Sequence, residues 1–278
     1  MNKLLRADFW RLFKDLVFRL SLVAAFIAGL ASVLMRHISN IQYNGAYTMH
    51  LEDSFLPLAI FMLLVCTAFT SLFIGTEYSE GPIRNKVIAG HRRSSICLSE
   101  LVCVLAGTLM IAAAFLLPYY AVGLPTVGFS ENGNRGIVEF TAVFLAFLCA
   151  FTTVFSMLCH IIRSKAYSAV CCILLAIALT AAGVWIGVKL SEPEYYSTYL
   201  LDSDGTVIET NGEKNPNYVE GTARDVLEFL YDFSSGGQLS QLDGFSTKGA
   251  GKLIAYDLVI VVLTAFGTAV ILKKRDLN

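Results

Sequence analysis

The sequence predicts an all-α polytopic membrane protein with six transmembrane helices, an N-terminal amphipathic helix at the interface and a large external loop between spans five and six. Two observations carry that prediction. The 278 residues are 55% apolar and only 15% charged, with a mean hydropathy of +0.62, which is wrong for a water-soluble domain. Six apolar runs, 18–35, 55–76, 96–122, 137–159, 168–188 and 253–272, are each long enough to cross roughly 30 Å of hydrocarbon. Only Arg19, Glu100, Glu139 and Asp257 place a charge inside them. Soluble helices would each carry a polar stripe, so the near-absence of charge decides for membrane spans. The chain reads as a single transmembrane domain, 1–278, with an extracytoplasmic subdomain at 191–250.

Residues 2–17 come first. Leu4, Leu5, Trp10, Leu12, Phe13 and Leu16 fall mostly on one helical face, and Lys3, Arg6, Arg11 and Lys14 mostly around the other. That is the pattern of a helix lying in the membrane interface, with Trp10, Arg11 and Phe13 at headgroup depth and the lipid bilayer as its partner. The apolar run that follows is no cleavable signal, because this amphipathic stretch precedes it and Arg36 and His37 follow Met35 in place of a small-residue cleavage pattern.

Orientation follows from the basic residues. Fourteen Lys and Arg lie before or at the very start of span one, after spans two and four, and at the C-terminus, whereas the two short loops opposite hold Arg36 and Arg135 alone. The positive-inside rule therefore places both termini in the cytoplasm. The net charge is −1, from 21 basic and 22 acidic residues, so no global basic excess argues for nucleic acid.

The loop 77–93 after span two is the most informative stretch. Gly81 before Pro82 suits a helix start and Gly90 a left-handed stop, which leaves about two turns with Ile83, Val87 and Ile88 apolar and Arg84, Asn85 and Lys86 polar. A positive loop that merely fixes topology would not need a short, capped, amphipathic helix. The loop after span four, 160–167, is much shorter.

The 191–250 segment carries eleven acids and no cysteine. Residues 195–202 and 206–209 flank an Asp204-Gly205 turn, which predicts a β-hairpin. Thr222 with Asp225 three residues on resembles an N-cap, and Val226, Leu227, Leu230 and Phe233 recur at helical spacing until Gly236-Gly237. The expectation is a short external amphipathic helix resting on another apolar surface.

Catalytic and metal motifs fail one by one. No Gly-x4-Gly-Lys-Ser/Thr occurs, and Gly244-Phe-Ser-Thr-Lys-Gly-Ala-Gly-Lys252 has Gly249 followed by Ala250. Asp202-Ser-Asp-Gly-Thr lacks the acids an EF-hand needs. Gly-x-Ser-x-Gly and His-Glu-x-x-His are missing, and His37, His50, His91 and His160 sit at or beyond span ends. The seven cysteines lie in or beside apolar runs without ligand spacing, and the adjacent Cys171 and Cys172 face different ways. No metal, cofactor or enzymatic activity is expected. Each intraspan charge is near an end: Arg19 snorkels, Glu100 is close enough to pair with Arg92 or Arg93, and Glu139 and Asp257 lie near the outer face. Gly183-Val-Trp-Ile-Gly187 is a GxxxG that could bring helices close.

In the loop after span two, Glu77 followed by Gly81-Pro82-Ile83-Arg84-Asn85-Lys86 and Gly90-His91 resembles the permease subunits of type-2 ABC exporters, in their Firmicutes version. That loop often reads Glu, a few residues, then Gly-Thr-Ile-Arg-Asn-Lys; Pro82 stands where Thr is usual. Similarity continues in Asn215-Pro216-Asn217-Tyr218-Val219, in Gly236-Gly237-Gln238 with Gln241, and in Lys273-Lys274-Arg275-Asp276-Leu277. The resemblance implies a bacterial cytoplasmic-membrane permease that pairs with a second permease, identical or homologous, and with separate ATP-binding cassette ATPase subunits. It also implies that the loop after span two is a coupling helix. On that reading Ile83, Arg84, Lys86 and Val87 enter a groove on the ATPase while Glu77 and Glu80 anchor the loop to the permease, and Gly81 and Asn85 belong to the same coupling segment. The rival class is a stand-alone facilitator, channel subunit or immunity protein that sequesters its target.

Overall fold

The computed structural model describes residues 2–43, 50–53, 55–129, 133–201, 207–243 and 249–274. The elements run α1 (Asn2–Lys14), α2 (Leu16–Gln42), α3 (Leu56–Ser79), α4 (Pro82–Ile88), α5 (Arg93–Thr126), α6 (Gly133–Ile162), α7 (Lys165–Ser191), β1 (Tyr195–Leu201), β2 (Val207–Lys214), α8 (Thr222–Phe233), α9 (Ser235–Gln241) and α10 (Ala250–Lys274). Helices α2, α3, α5, α6, α7 and α10 are long and apolar enough to cross a membrane. The chain is an all-α polytopic membrane protein whose only described sheet is one two-stranded hairpin.

Each spanning helix outruns its apolar stretch, because the backbone ladder continues until a cap or a glycine stops it. Asp15 separates α1 from α2: its carboxylate accepts from the Phe18 amide at 2.9 Å, satisfying one orphan donor of the new helix. The most extensive helix pairings are α2 with α5, α6 with α10 and α3 with α7. Between membrane helices lipid is as apolar as leucine, so close packing has to hold them. Aromatic rings supply it. Phe55 meets Phe140 with ring centroids 4.8 Å apart and Phe144 at 5.4 Å, Phe115 stacks on Tyr119 at 5.2 Å, and Phe147, Phe151 and Phe155 continue down α6.

The molecule has two unlike ends. One carries α1 and α4; the other carries the hairpin, α8 and α9. At the hairpin end β2 runs to Lys214, five residues past the expected 209, since it pairs antiparallel with β1 from Leu201↔Val207 to Tyr195↔Lys214, with a register shift between Ser197 and Tyr195. The Asp204-Gly205 turn lies outside the described residues. Asn215 closes the base of the hairpin: its Nδ2 donates to Glu192 Oε2 at 2.8 Å and to the Pro193 carbonyl at 3.1 Å, and its Oδ1 accepts from Tyr196 Oη and the Asn217 amide, each at 2.9 Å.

Two expectations about this region are corrected. Thr222 is the first residue of α8 rather than its cap, and Gly221, at φ 65°, takes the capping position. Gly236-Gly237 does not end a helix. The pair opens α9, whose cap is Ser234, accepting from the Gly237 amide at 3.1 Å. The reason is a close crossing with α7. A Cβ on Gly183 would lie 2.0 Å from the Gly236 carbonyl carbon, and a Cβ on Gly236 would lie 1.8 Å from the Leu179 oxygen. The GxxxG of α7 thus seats α9 and, through Gly187, the Tyr231 ring of α8.

Candidate functional site

Beneath α4 lies a cluster of buried charge that draws on five helices. Gly81 adopts φ 87° and Gly90 φ 81°, the left-handed conformations that open and close the α4 turn as the sequence predicts. Between them α4 turns Ile83 and Lys86 inward. Ile83 packs in a small apolar group with Leu4 of α1 and Ile96 of α5, against Tyr78 and Val87. Lys86 goes deeper. Its Nζ donates to Asp8 Oδ1 at 2.7 Å, Glu77 Oε1 at 2.8 Å and Glu100 Oε1 at 3.5 Å. An ammonium has three protons and no acceptor, so three carboxylates from α1, α3 and α5 use all of its donors.

The neighbours extend the cluster. Arg11 pairs with the same Glu77 oxygen and lies over the Phe73 ring, 3.9 Å from its centroid. Ser99 donates to Asp8 Oδ2 at 2.5 Å. His160 of α6 bonds Tyr78 Oη through Nδ1 at 2.7 Å and sets Nε2 3.7 Å from Glu100 Oε2. Asp8, Glu77, Glu100, Ser99 and His160 are all essentially excluded from solvent. Burial works to lower the Lys86 pKa, but the charges of Glu100 and Glu77 and the hydrogen bonds to Asp8 and Glu77 outweigh it, so the group rises above its ordinary 10.5.

These placements revise several sequence expectations. Glu100 faces Lys86 and His160, because one helical turn into α5 its side chain points to the bundle; the side chain of Arg93, one of its two expected partners, lies outside the described residues. Arg11 is not on the polar outer face of α1: Leu4, Asp8 and Leu12 are the buried line, and Arg11 reaches inward beside them. Trp10 and Phe13 face outward, with Lys14 Nζ 3.6 Å above the Trp10 ring. Lys86 and Ile83, placed by the sequence on the docking face, are instead engaged with their own chain. Val87 is half-buried, while Asn85 and Ile88 point away from the protein, Ile88 with 83% of its surface open. Glu80 is exposed and approaches Lys165 of α7 at 3.7 Å. The side chain of Arg84 lies outside the described residues.

Sequence reasoning missed Asp8, Ser99 and Tyr78 as members of the cluster. For Asp8 the signal was present: positions 4, 8 and 12 lie on one helical face, and two of the three are leucine. An acid on the packed stripe of an amphipathic helix demands a buried partner.

The arrangement also brings Cys97 Sγ to 3.9 Å from His160 Nε2. What it can do is mechanical: α4 cannot move without dragging or breaking contacts to α1, α3 and α5. Among the described residues no group of three or more His, Cys, Asp and Glu side chains is placed to hold a metal. No protein-family model and no curated protein sequence matches this chain.

Proposed function

We propose that this chain is the membrane-spanning permease subunit of an ATP-driven ABC exporter, with α4 as the element that receives motion from a separate ATPase. The observation that carries the reading is the two-sidedness of α4. Its inner side is bolted through Lys86 to three helices, and its outer side, Asn85 and Ile88, is open. A force transmitter needs both properties, a rigid grip on the bundle and a free face for the motor. The glycine-bounded sequence 81–90 that resembles the exporter loop supports the same reading.

On this reading both termini and α4 face the bacterial cytoplasm, the hairpin, α8 and α9 face outward, and a second permease completes the translocation path. The docking face differs from the one the sequence alone suggests. Asn85 and Ile88 meet the ATPase, while Glu77 and Lys86 hold α4 in place.

The test is co-purification in detergent of an ATPase with the wild-type chain, with Ile88→Asp, and with residues 82–89 replaced by glycine and serine. Ile88→Asp is expected to insert normally and to lose the ATPase, and the glycine-serine chain to lose it as well. Recovery of the ATPase at wild-type level with the glycine-serine chain would end the coupling assignment. Reporter fusions after Arg93 and Lys274 should behave as cytoplasmic, and fusions near Gly205 as external.

A further inference from the structure

Another buried acid, Asp257, lies at the opposite end of the bundle and outside the α4 cluster. Asp257 sits seven residues into α10, about 10 Å along the helix from Ala250 at about 1.5 Å per residue. It occupies the packed face of a helix that is otherwise mostly open to lipid, with Ala250 and Leu253 on the same face. Its own exposure is 0%. The polar side chain beside it is Gln238 of α9, also fully buried. Neither Asp257 oxygen has a well-formed hydrogen bond among the described residues, although the Gln238 amide lies close enough to donate to the carboxylate, and Gln238 Oε1 has no partner.

Three neighbouring acceptor oxygens with one free amide N–H among them cannot all be satisfied in an apolar interior, where each orphan costs about 1–3 kcal/mol and an unpaired carboxylate more. One added proton resolves all three. A neutral carboxyl and a primary amide pair side by side: the acid hydroxyl donates to the amide oxygen, and one amide N–H donates to the acid carbonyl. The second hydrogen of Gln238 Nε2 keeps its bond to the Asp232 carbonyl at 2.9 Å, so the two bonds do not compete. An ionised Asp257 could take one N–H, but it would leave a charge and the amide oxygen unsatisfied.

Among the described residues no cation from the surrounding helices is paired with the carboxylate. Helix α9 carries no titratable side chain; α5 has Arg93 and Glu100, both toward its other end; α6 offers Cys149 as the neighbouring group, with Arg135 and Glu139 paired to each other at 2.8 Å. On α8 Arg224 pairs with Glu228, and Asp232 is bound to Lys252 at 2.6 Å.

We infer that Asp257 and Gln238 form a buried proton-binding site, in which the neutral carboxyl of α10 is paired with the amide of α9. The site ties α9 to the last span, and loss of the proton removes the bond and sets a bare charge against an acceptor. The inference does not rest on the exporter reading.

The experiment uses the full-length protein in lipid nanodiscs at neutral pH. Infrared difference spectra of wild type minus Asp257→Asn should show the carbonyl stretch of a protonated carboxylic acid, shifted by deuterium exchange and shifted again in Gln238→Leu. Dicyclohexylcarbodiimide, which attacks protonated buried carboxyls, should label the Asp257 peptide in wild type, with the label lost in Asp257→Asn and unaffected by sodium or potassium. A carboxylate band in place of the acid band, an unlabelled Asp257, or protection by either alkali cation would overturn the proposal. If Asp257→Asn does not fold, wild-type labelling and the Gln238→Leu spectrum decide by themselves.

Discussion

Two lysines, one at each end of the molecule, make contacts of nearly the same length and opposite character. Lys86 Nζ lies 2.7 Å from Asp8, and Lys214 Nζ lies 2.9 Å from Glu220. The first has 12% of its side chain exposed and a partner at 2%; the second has 51% and a partner at 65%. Distance is the same, but the medium is not. In a low-dielectric interior each carboxylate around Lys86 has given up water and depends on the ammonium, whereas Lys214 and Glu220 trade one well-solvated state for another. The comparison teaches that the α4 end is held by charges that cannot be separated cheaply, and the hairpin by backbone pairing and by Asn215.

The largest effect that could break this comparison is removal of Lys86. Lys86→Ala leaves Asp8, Glu77 and Glu100 buried with Arg11 as the remaining cation bonded within the group, and breaking a buried pair this way costs about 3–5 kcal/mol. Thermal unfolding in detergent should show a clear loss. Lys86→Arg should not restore it, because a planar guanidinium cannot aim three donors at three carboxylates converging on one point. Full stability in Lys86→Ala would mean that the carboxylates have another source of charge.

How much of this was legible in the sequence differs between the same two ends. The boundaries of α4 could be read because glycine and proline act locally, through φ at Gly81 and Gly90 and the missing donor of Pro82. The ligands of Lys86 could not, since Asp8 and Glu100 are brought to it by packing between helices far apart in the chain. At the hairpin end the two strands were visible from the runs that flank a turn dipeptide, but the length of β2 followed from pairing with β1. Gly236-Gly237 misled for a physical reason: glycine serves both as a helix stop and as a place where another backbone passes, and only the partner, Gly183, distinguishes the two.

The second prediction sharpens what holds the hairpin end. Gly183→Ala and Gly236→Ala each insert a methyl where backbone atoms of the facing element already stand, so α9 must shift away from α7. Overpacking of this kind costs about 1–3 kcal/mol, less than the loss of Lys86. Limited proteolysis should cut faster around 235–243 in both variants while the α4 end stays protected. Equal protection throughout would show that α9 is not seated by this crossing.

A smaller effect separates the two lysines by pH. Both have raised pKa values, Lys214 through its hydrogen bond to Glu220 and Lys86 through its carboxylates despite burial. A raised folded-state value means the stabilisation is complete below the unfolded value of 10.5 and is lost as pH climbs through the folded one. Wild type should therefore keep the Lys86 contribution unchanged across neutral pH and lose it only in strongly alkaline solution. Lys86→Met should lack that alkaline component, and finding it intact would assign the transition to another group.

The smallest expected effect is the control that gives the comparison its meaning. Lys214→Ala removes an ion pair that is short and well formed by geometry, so an argument from distance alone would rank it beside Lys86→Ala. An argument from solvation predicts no measurable change in unfolding temperature, because water replaces the carboxylate for Lys214 and the ammonium for Glu220. Salt sharpens the contrast, since mobile ions reach the exposed pair and screen it but do not reach Lys86. Asn215→Ala in the same hairpin should cost more than Lys214→Ala, because Glu192, Tyr196 and the Asn217 amide then lose a buried partner that water does not replace in place. The decisive measurement is the unfolding temperature of all three variants at low and high salt. A Lys214→Ala loss as large as that of Lys86→Ala, or larger than that of Asn215→Ala, would show that exposure is not what separates the two ends.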